Sequence, residues 1–578
     1  MLSLASYVED LRSSNKCART INPLPEVPRG EGLSQTEIEH STMAACRLSC
    51  DPFGALWPVP TEKVIMIMSL FHSTPENFIK ETKANFISNL QRFLNHENYH
   101  NKTDDQGEIK IVITVNSSDL TLDWFTDESY ILELSVNGTG KANNGTVQIF
   151  ANTVYGARHG IETLLQLTAP VIKTGNRQGL VILQFAFITD APIFAHRGLS
   201  LDTSRHFVPI GDILKTIDGL SACKMNVLHW HATDSQSFPL QLKRVPTITL
   251  YGAYTPNEIY TTADMQLVVA YGRIRGVRVI LELDAPSHSG AGWEWGESAG
   301  LGSLAVCVNS QPWRKSCIQP PCGQLNPVNP NLYNILRDVY KDFIDIWGTR
   351  EVFHMGGDEV FLPCWNSTKE ITDEMKRRGM GLEQSDFLQL WSEFQASLLK
   401  IVDEERGPGS PNISAILWTS QLTDPATIEQ YLDKDRYVIH TWVPSSSYVP
   451  KQLLDLGYRL IVTTKNAWYL DHGFWGNTKY YTWRDVYHNR IMKEVFKPGI
   501  LGGEVAMWGE YVDGRSLDPR IWPRTAAAGE RLWSDPSNIM QIAEVELRLN
   551  AQRDRLIIRG INPEPIAAEW CAQHDGQC

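Results

Sequence analysis

Two adjacent carboxylates, Asp358 and Glu359, give the strongest chemical signal in this sequence. They follow Gly356 and Gly357 directly. Because two glycines let the end of a strand bend, both acids can face one cavity instead of opposite sides of the strand. Neighbouring acids in a buried place repel each other, so one is expected to keep its proton near neutral pH and to act as a general acid. Two solvated acids on a loop are the alternative interpretation.

A second acidic segment contains Asp284 and, four residues later, His288. This spacing lets His288 hydrogen-bond a carboxylate and hold its charge state, although a bond to a backbone carbonyl is an alternative.

His229, His231 and Asp234 lie at the end of another apolar segment and invite a metal interpretation. A metal site needs further strong ligands, and later segments show no paired histidines to supply them. We therefore predict no metal and no cofactor. The two histidines are expected to pack inside the fold, so that only Asp234 reaches the site.

Tryptophan is unusually frequent, with 18 residues. Trp418, Trp442 and Trp508 close three of the last four apolar segments, and Trp313, Trp475 and Trp483 lie in predicted loops. Flat rings stack on the C–H faces of sugars, while carboxylates and arginine bind the hydroxyl groups. A sugar ligand is therefore favoured over a phosphate ligand, which would need a basic cluster or a glycine-rich loop. Core filling remains the ordinary explanation for any single tryptophan.

Composition limits the possible partners. The 578 residues carry 53 Lys and Arg against 66 Asp and Glu, a net charge of −13, which argues against nucleic acid and anionic membranes as partners. No segment is apolar for long enough to span a membrane, and the first ten residues do not resemble a signal peptide. Ten cysteines and six Asn-x-Ser/Thr sites nonetheless favour the secretory route, extracellular or lysosomal.

The cysteine spacing favours disulfides over a zinc site, because no Cys-x-x-Cys pair occurs. We expect Cys307, Cys317, Cys322 and Cys364 to pair among themselves. Cys571 is expected to pair with Cys578, and Cys223 to be a buried free thiol.

The elements that must position these residues form a repeating pattern after residue 190. Eight short apolar runs alternate with longer, mostly helical segments: 197–203, 225–234, 277–284, 352–359, 415–419, 437–442, 459–469 and 500–510. Helices are predicted over 211–223, 263–275, 331–347 and 383–404. The pattern predicts a catalytic (β/α)₈ barrel over residues 191–578, with a C-terminal extension. A doubly wound sheet is the competing architecture.

The pattern of apolar residues over 1–190 predicts a smaller α+β domain. Alternating apolar residues indicate strands over 63–71, 108–115, 130–136, 146–152 and 180–188, and a helix is predicted over 154–167. Gly156 and Gly160 would give that helix a smooth face lying close to a sheet.

Taken together, these motifs resemble glycoside hydrolase family 20, the β-N-acetylhexosaminidases. The matching stretches include His196–Arg197–Gly198, Asn226–Val227–Leu228–His229–Trp230–His231, HMGGDEV at residues 354–360 and GGEVAMWGEYVD at residues 502–513. The likeness extends to the N-terminal domain through Tyr155–Gly156–Ala157.

The resemblance implies a retaining reaction in which the 2-acetamido oxygen of the substrate attacks the anomeric carbon and forms an oxazolinium ion. It implies that Glu359 is the acid and later the base, that Asp358 holds the acetamido N–H, and that Tyr469 contacts the acetamido oxygen. The implied substrate-binding residues are Arg205, Asp234, His288, Trp418, Trp442, Asp471, Trp508 and Glu510. Asp234 and His288 are implied to tune Glu359.

The substrate beyond the first sugar is less strongly indicated. Trp313 and Trp483 resemble features of the insect chitooligosaccharide-degrading branch, in which a tryptophan stacks on the second sugar. Gln319 departs from that branch, which usually has a glutamate there. N-glycan trimming or a broad lysosomal-type role therefore remains an alternative. A two-carboxylate glycosidase and a non-catalytic sugar-binding protein are the competing classes, and the family resemblance implies a homodimer.

Overall fold

The computed structural model of the chain describes residues 7–9, 17–19, 40–41, 47–48, 55–61, 63–73, 108–137, 144–173, 177–408, 410, 413–491, 499–536, 542–572 and 574. Two units are distinguished: residues 1–195 with 221–224 and 529–578, and residues 196–220 with 225–528. The domain boundary expected after residue 190 remains a prediction.

A mostly antiparallel sheet organises the first unit. Its strands and the preceding hairpin are β1 (Tyr7–Glu9), β2 (Cys17–Arg19), β3 (His40–Ser41), β4 (Lys63–Ser73), β5 (Glu108–Val115), β6 (Tyr130–Asn137), β7 (Asn144–Ala151), β8 (Thr168–Lys173) and β9 (Arg177–Asp190). The sheet order is β3-β8-β9-β6-β7-β5, β4 also pairs with β9, and only β5 and β7 run parallel. All five predicted strands are confirmed. Strand β8 was missed, because Pro170 interrupts its apolar pattern.

The helix α1 (Val154–Gln166) packs closely against this sheet. A Cβ atom added to Gly156 would lie 2.2 Å from the carbonyl oxygen of Ser129, and one added to Gly160 would lie 2.7 Å from Ile149. The two glycines therefore allow the close approach that the sequence predicted, and a larger residue at either position would push the helix away from the sheet.

Parallel strands build the second unit. They are β10 (His196–Asp202), β11 (Val227–His231), β12 (Arg278–Glu282), β15 (Ala415–Trp418), β16 (Tyr437–Thr441), β17 (Arg459–Val462) and β18 (Ile500–Met507), while β13 (Ala305–Val306) and β14 (Gln324–Leu325) form a separate hairpin. Their order is β12-β11-β10-β18-β17-β16-β15. His354 bridges both outer strands, through Glu282 and Ile416, and so closes the barrel. The predicted (β/α)₈ fold is confirmed.

Two of the eight predicted strands are shorter than expected. The run 352–359 contributes only the bridges at His354, because Gly356 and Gly357 have φ values of +59° and +76° and end the extended conformation. The run 459–469 stops as a strand at Val462. A short helix follows, and Tyr469 then returns to the barrel by a bridge to Ala506.

The helices after α1 lie between or after these strands along the chain. They are α2 (Ile210–Ala222), α3 (Pro246–Gly252), α4 (Thr262–Ile274), α5 (Pro330–Trp347), α6 (Leu362–Ser367), α7 (Lys369–Arg377), α8 (Gln384–Glu405), α9 (Val449–Asp455), α10 (Lys465–Trp468), α11 (Trp483–His488), α12 (Leu517–Ile521), α13 (Arg524–Trp533), α14 (Ile542–Ile558) and α15 (Glu569–Ala572). The four helices predicted between barrel strands are confirmed as α2, α4, α5 and α8. Within the described residues, none of the helices combines the length and the apolar character that crossing a membrane requires.

Two disulfides fasten the loops that follow β12. They join Cys307 to Cys364 and Cys317 to Cys322, so the prediction that the four central cysteines pair among themselves is confirmed. Cys223 is a buried free thiol, also as predicted. The predicted bond from Cys571 to Cys578 involves a position outside the described residues.

Candidate active site

The two adjacent acids stand on a sharp bend that only glycine permits. A Cβ atom on Gly356 would lie 1.8 Å from Asp284 Oδ1, and the Gly357 N–H donates to that same oxygen at 3.0 Å. Glu359 itself has a φ of +51°, an uncommon conformation that concentrates at functional sites. The bend predicted from the two glycines is therefore present.

Glu359 is linked to a histidine and a buried aspartate. His288 Nε2 lies 3.4 Å from Glu359 Oε2, and His288 Nδ1 lies 3.2 Å from Asp234 Oδ1. Burial disfavours the ionised form of Glu359, but the hydrogen bond and the charge of His288 outweigh burial and lower the pKa of Glu359. Burial also opposes the charge on His288, yet Asp234 and Asp284 raise the pKa of His288 well above its usual value. In the ligand-free site, a proton shared by Glu359 and His288 therefore resides on His288.

The pKa values of two further acids, Asp358 and Asp284, are shifted in the opposite direction. Burial raises the pKa of Asp358 to about 6, and burial together with the charge of Asp358 raises the pKa of Asp284 well above its usual value. The sequence predicted that one acid of the adjacent pair keeps its proton and serves as the general acid. In the ligand-free structure the raised pKa belongs to Asp358, not to Glu359, because His288 contacts Glu359 directly.

Aromatic rings line the same end of the barrel. Trp418, at the end of β15, lies 5.9 Å from Trp508 between ring centroids, and Tyr469 lies 6.1 Å from Trp508. The indole N–H of Trp442 donates to the Thr419 carbonyl at 2.8 Å, which fixes the plane of that ring. These four predicted aromatic residues therefore occupy the ends of neighbouring strands or the segments directly after them.

Three predicted hydroxyl-binding residues are held by polar contacts near these rings. Arg205 Nη2 contacts Asp234 Oδ2 at 2.7 Å, and the Arg205 guanidinium lies 5.3 Å from the centre of the Trp508 ring. Asp471 Oδ2 accepts the indole N–H of Trp475 at 2.8 Å. Burial and the charge of Glu510 raise the pKa of Asp471 to about 7.

Gln319 connects Arg205 to Glu510. The Gln319 side chain accepts a hydrogen bond from Arg205 Nη2 at 3.1 Å and donates one to Glu510 Oε1 at 2.7 Å. It lies in the loop that the Cys317–Cys322 disulfide closes. The sequence identified Gln319 only as a departure from a related branch. Its bridging contact depends on loop geometry that the sequence does not encode locally.

Four buried polar atoms in this region have no hydrogen-bond partner in the structure. They are Arg205 Nε, Asp358 Oδ1, Asp471 Oδ1 and Glu510 Oε2. Unsatisfied buried polar groups are costly and uncommon in folded proteins. Their presence beside the tryptophan rings marks the place where a polar ligand would complete the hydrogen bonding.

A cleft of about 630 Å³ extends outward from Glu359 and Trp442. Its lining residues are Ile318, Glu359, Val360, Phe361, Leu362, Pro363, Asn366, Leu382, Gln384, Phe387, Trp391, Thr419, Ser420, Gln421 and Trp442. Most of this lining is apolar, and α8 with the loop before it forms the outer wall. A ligand that reaches Glu359 can therefore continue into the cleft.

The remaining predicted tryptophans lie on three different segments. Trp313 begins a short 3₁₀ helix in the disulfide loop, and Trp475 is 40% exposed. Trp483 was predicted to lie in a loop, but it is the first residue of α11 and is only 4% exposed. Thr482 caps that helix through a reciprocal contact with Asp485, which draws Trp483 into regular structure.

Three groups of buried side chains could present donor atoms to a metal ion. They are His229 with His354 and His440, His231 with Glu282 and Asp284, and Asp234 with Asp284 and His288. The rings of His229 and His354 stack at 4.4 Å and 18°, so their in-plane lone pairs run side by side and do not converge. The carboxylates Asp234 and Glu282 are already bonded to histidines. We assign no ion to these groups.

The sequence did not predict the contacts of Glu282 with its buried neighbours. Glu282 faces His231 across the β11–β12 pair, and Trp418 donates its indole N–H to Glu282 Oε1 at 2.6 Å. The available signal was the two-residue spacing of His229 and His231, which places both on the inner face of one strand beside an acid on the next.

Comparison with known proteins gives related family matches in both units of the chain. Residues 194–536 match "Glycosyl hydrolase family 20, catalytic domain", and residues 56–167 match "beta-acetyl hexosaminidase like". The chain is 38% identical to a "Chitooligosaccharidolytic beta-N-acetylglucosaminidase" of Bombyx mori, covering 93% of this chain and 91% of the relative. It is 32% identical to a "Beta-hexosaminidase subunit beta" of Homo sapiens, covering 93% and 94%.

A solved structure agrees with these relationships. The chitobiase of Flavobacterium johnsoniae superposes with a TM-score of 0.65 at 26% identity, covering 88% of this chain and 73% of that one. The family match spans most of the barrel and the sequence relatives span nearly the whole chain. The chain belongs to glycosyl hydrolase family 20 and is a glycoside hydrolase of the β-N-acetylhexosaminidase type.

Proposed function

We propose that this enzyme removes terminal N-acetylglucosamine from the non-reducing end of chitooligosaccharides, with retention and through an oxazolinium ion. The observation that carries the proposal is the set of four unpaired buried atoms on Arg205, Asp358, Asp471 and Glu510 beside the aromatic rings. A terminal sugar offers hydroxyl groups and an acetamide, which together satisfy cationic and anionic partners of this kind.

The proposed catalytic roles follow from the position of each polar atom. Glu359 protonates the departing oxygen and then activates water. Its contact with His288 sets how readily Glu359 holds or gives up that proton. Asp358, ionised above about pH 6, accepts the acetamido N–H through its free Oδ1 and stabilises the positive oxazolinium. Tyr469 donates its hydroxyl to the acetamido oxygen, since burial and the charge of Asp471 raise its pKa and keep it protonated.

The proposed binding roles divide between rings and charges. Trp418, Trp442 and Trp508 enclose the acetamide and the sugar face, and Arg205, Asp471 and Glu510 bind hydroxyl groups. The roles of Asp234 and His288 are indirect, through the contacts with Glu359. Trp313, in the disulfide loop, is half-buried and is the candidate for stacking on a second sugar. Trp483, at 4% exposure, would contact a sugar only after its neighbours move.

The chitooligosaccharide substrate is supported by the name of the 38% identical Bombyx mori relative and by the cleft that leads away from Glu359. Most of the cleft lining is apolar, which suits the C–H faces of a chain of sugar rings. The human relative, at 32% identity, is the reason to test a branched substrate as well.

The first experiment compares chitotriose with a biantennary N-glycan that carries terminal N-acetylglucosamine. We expect kcat/KM for chitotriose to exceed that for the N-glycan by about tenfold, which corresponds to about 1.4 kcal/mol of transition-state binding in the cleft. Released N-acetylglucosamine, measured at several substrate concentrations, gives both values. Equal values would assign the enzyme a broad specificity, and a preference for the glycan would assign it to glycan trimming; either result would contradict the proposed substrate.

Gln319 offers a test of the terminal-sugar site. Gln319→Glu keeps an acceptor for Arg205 but places a second carboxylate where an N–H now donates to Glu510 at 2.7 Å. Like charges at this distance repel unless one acid keeps a proton. We expect KM for an aryl N-acetylglucosaminide to rise about tenfold at pH 7 and to recover as the pH falls below about 5, where the added acid is protonated.

The matched control is Gln421→Glu, which adds the same charge to the cleft wall and is not bonded to Arg205 or Glu510. Its KM should vary little with pH. If Gln319→Glu leaves KM unchanged across the pH range, Gln319 does not organise the binding of the terminal sugar.

We further propose that the protein follows the secretory route, to an extracellular or lysosomal destination, and forms a homodimer. Support for the route comes from the two disulfides, which are typical of proteins that mature in an oxidising compartment. The homodimer rests on family resemblance alone.

A further inference from the structure

Resting on the proposed role of Glu359, we propose that the buried residues Glu282 and His231 are positioning residues that set the protonation of the Glu359–His288 pair through Asp234. Neither residue touches the substrate in this proposal. Their influence passes through a continuous row of alternating acids and imidazoles inside the barrel.

The row is continuous at hydrogen-bond distances. Glu282 Oε2 lies 2.6 Å from His231 Nδ1, and His231 Nε2 lies 3.0 Å from Asp234 Oδ2. The other oxygen of Asp234 contacts His288, whose second nitrogen faces Glu359. Glu282, His231 and Asp234 are at most 2% exposed, so water does not screen these contacts.

Glu282 must be a carboxylate in this arrangement. Four ring nitrogens lie close to it: His231 Nδ1 at 2.6 Å, Trp418 Nε1 at 2.6 Å, His229 Nε2 at 2.9 Å and His354 Nδ1 at 3.3 Å. A carboxylate accepts on both oxygens, whereas the NH₂ group of an amide would meet another donor. Trp418 also forms a wall of the proposed acetamide pocket, so one buried anion fixes both a wall of the site and the row that leads to the acid.

His231 lies between two acceptors and therefore carries two protons. Each of its nitrogens faces a carboxylate oxygen, Glu282 Oε2 at 2.6 Å and Asp234 Oδ2 at 3.0 Å, and Arg205 Nη1 lies farther from His231 Nε2, at 3.3 Å. Burial opposes a charge on His231, but Glu282 and Asp234 outweigh it and raise the pKa of His231 well above its usual value. Its positive charge, together with that of Arg205 at 2.7 Å from Asp234, offsets part of the negative charge that Asp234 presents to His288.

Other charged groups also face the row, and they differ in which member they contact. Arg205 contacts Asp234 at 2.7 Å and is itself paired with Asp202 at 3.1 Å. His354 lies 3.3 Å from Glu282, and Glu504 lies 2.9 Å from His229 and 2.6 Å from His196. The charge of Asp284 acts on His288. Two routes therefore reach Asp234: Glu282 through His231, and Asp202, at the end of β10, through Arg205.

A purely structural explanation accounts poorly for this row. Barrel interiors are usually filled by branched apolar side chains, and replacing buried ion pairs with such residues is often neutral or stabilising. A structural ion cluster could also end at Glu282, His229 and Glu504. Here it continues to Asp234 and stops at Glu359, the acid that borders the cleft.

The effect on the reaction has a defined sign. Without the charge of His231, less of the negative charge of Asp234 is offset, so Asp234 stabilises the protonated form of His288 more strongly. The Glu359–His288 pair then binds its shared proton more tightly, so the alkaline limb of kcat moves to higher pH. Within the pair, the proton moves further onto His288, so less Glu359 is in the protonated form that cleaves, and the plateau of kcat falls.

The test compares Glu282→Gln and His231→Gln with the unaltered enzyme on an aryl N-acetylglucosaminide. In both variants we expect the plateau of kcat to fall about tenfold and the alkaline limb to rise by about 0.5–1 pH unit. KM should change less than twofold in His231→Gln and rise further in Glu282→Gln, because Glu282 also accepts the indole N–H of Trp418. Glu351→Gln is the matched control: it removes the partner of Arg278 at the opposite end of β12, 2.7 Å away, and should leave the pH profile unchanged.

A second measurement does not depend on whether the variants fold. Neutron diffraction of the unaltered protein at neutral pH should show deuterium on both ring nitrogens of His231. One deuterium only, or an unchanged alkaline limb in folded variants, overturns the proposal. Failure of the proposed function would look different, because Glu359→Gln would then retain turnover whatever the state of His231.

Discussion

Glu359→Gln is expected to lower kcat for chitobiose by about 10³-fold while changing the dissociation constant of N-acetylglucosamine less than threefold. General acid catalysis contributes about 10²–10⁴-fold, and the amide that replaces the acid cannot donate a proton of comparable acidity. The amide is nearly the same size as the acid, and Glu359 borders the cleft at 26% side-chain exposure, so the fold should tolerate it. Steady-state hydrolysis and calorimetric titration measure the two quantities.

The leaving group separates a lost acid from a general disturbance of the site. A dinitrophenyl N-acetylglucosaminide departs without needing a proton, so the first step of Glu359→Gln should be far less impaired on it than on chitobiose. Glu429→Gln, at an acid that is 59% exposed, is the matched control and should behave as the unaltered enzyme on both. An equal loss on both substrates would contradict the acid assignment, and retained turnover of chitobiose would remove it.

The position of the acid pair was predictable from local chemistry. Gly356 and Gly357 permit a bend, and the structure has one there, with positive φ values at both residues. The barrel was predictable for a related reason, because runs of apolar residues at regular intervals leave few ways to bury them. The same two glycines explain the main error in the strands, since the bend that exposes Glu359 also limits the fourth strand to a bridge at His354.

Side-chain contacts between residues far apart in the sequence were not predictable in this way. Gln319 reaches Glu510 across 191 positions of sequence, and Glu282 meets Trp418 across 136. Such contacts depend on strand register and loop closure, which no local pattern specifies. The charge states followed from these contacts, so the sequence expected a protonated acid in the adjacent pair without knowing that His288 would lower the pKa of Glu359.

Removal of the acetamido group from the substrate is expected to reduce kcat/KM by at least about 10³-fold. In the proposed reaction the acetamido oxygen is the nucleophile, and a well-oriented intramolecular nucleophile has an effective molarity of about 10⁵–10⁸ M. The comparison uses aryl β-glucoside and aryl β-N-acetylglucosaminide with the same leaving group. Because the aglycone is identical, a difference in its departure cannot account for the result.

The protein offers no ready substitute for that nucleophile. Two-carboxylate retaining enzymes place a nucleophile across the sugar ring from the acid, at about 5–5.5 Å. Here Asp358 is adjacent to the acid in sequence, and Asp284 Oδ1 is occupied by the Gly357 N–H. A thiazoline analogue of the oxazolinium should therefore inhibit strongly, and a 2-fluoro glycoside should not label a carboxylate. Equal rates on the two aryl substrates, or a labelled Asp284 or Glu510, would replace the substrate-assisted reaction with a two-carboxylate one.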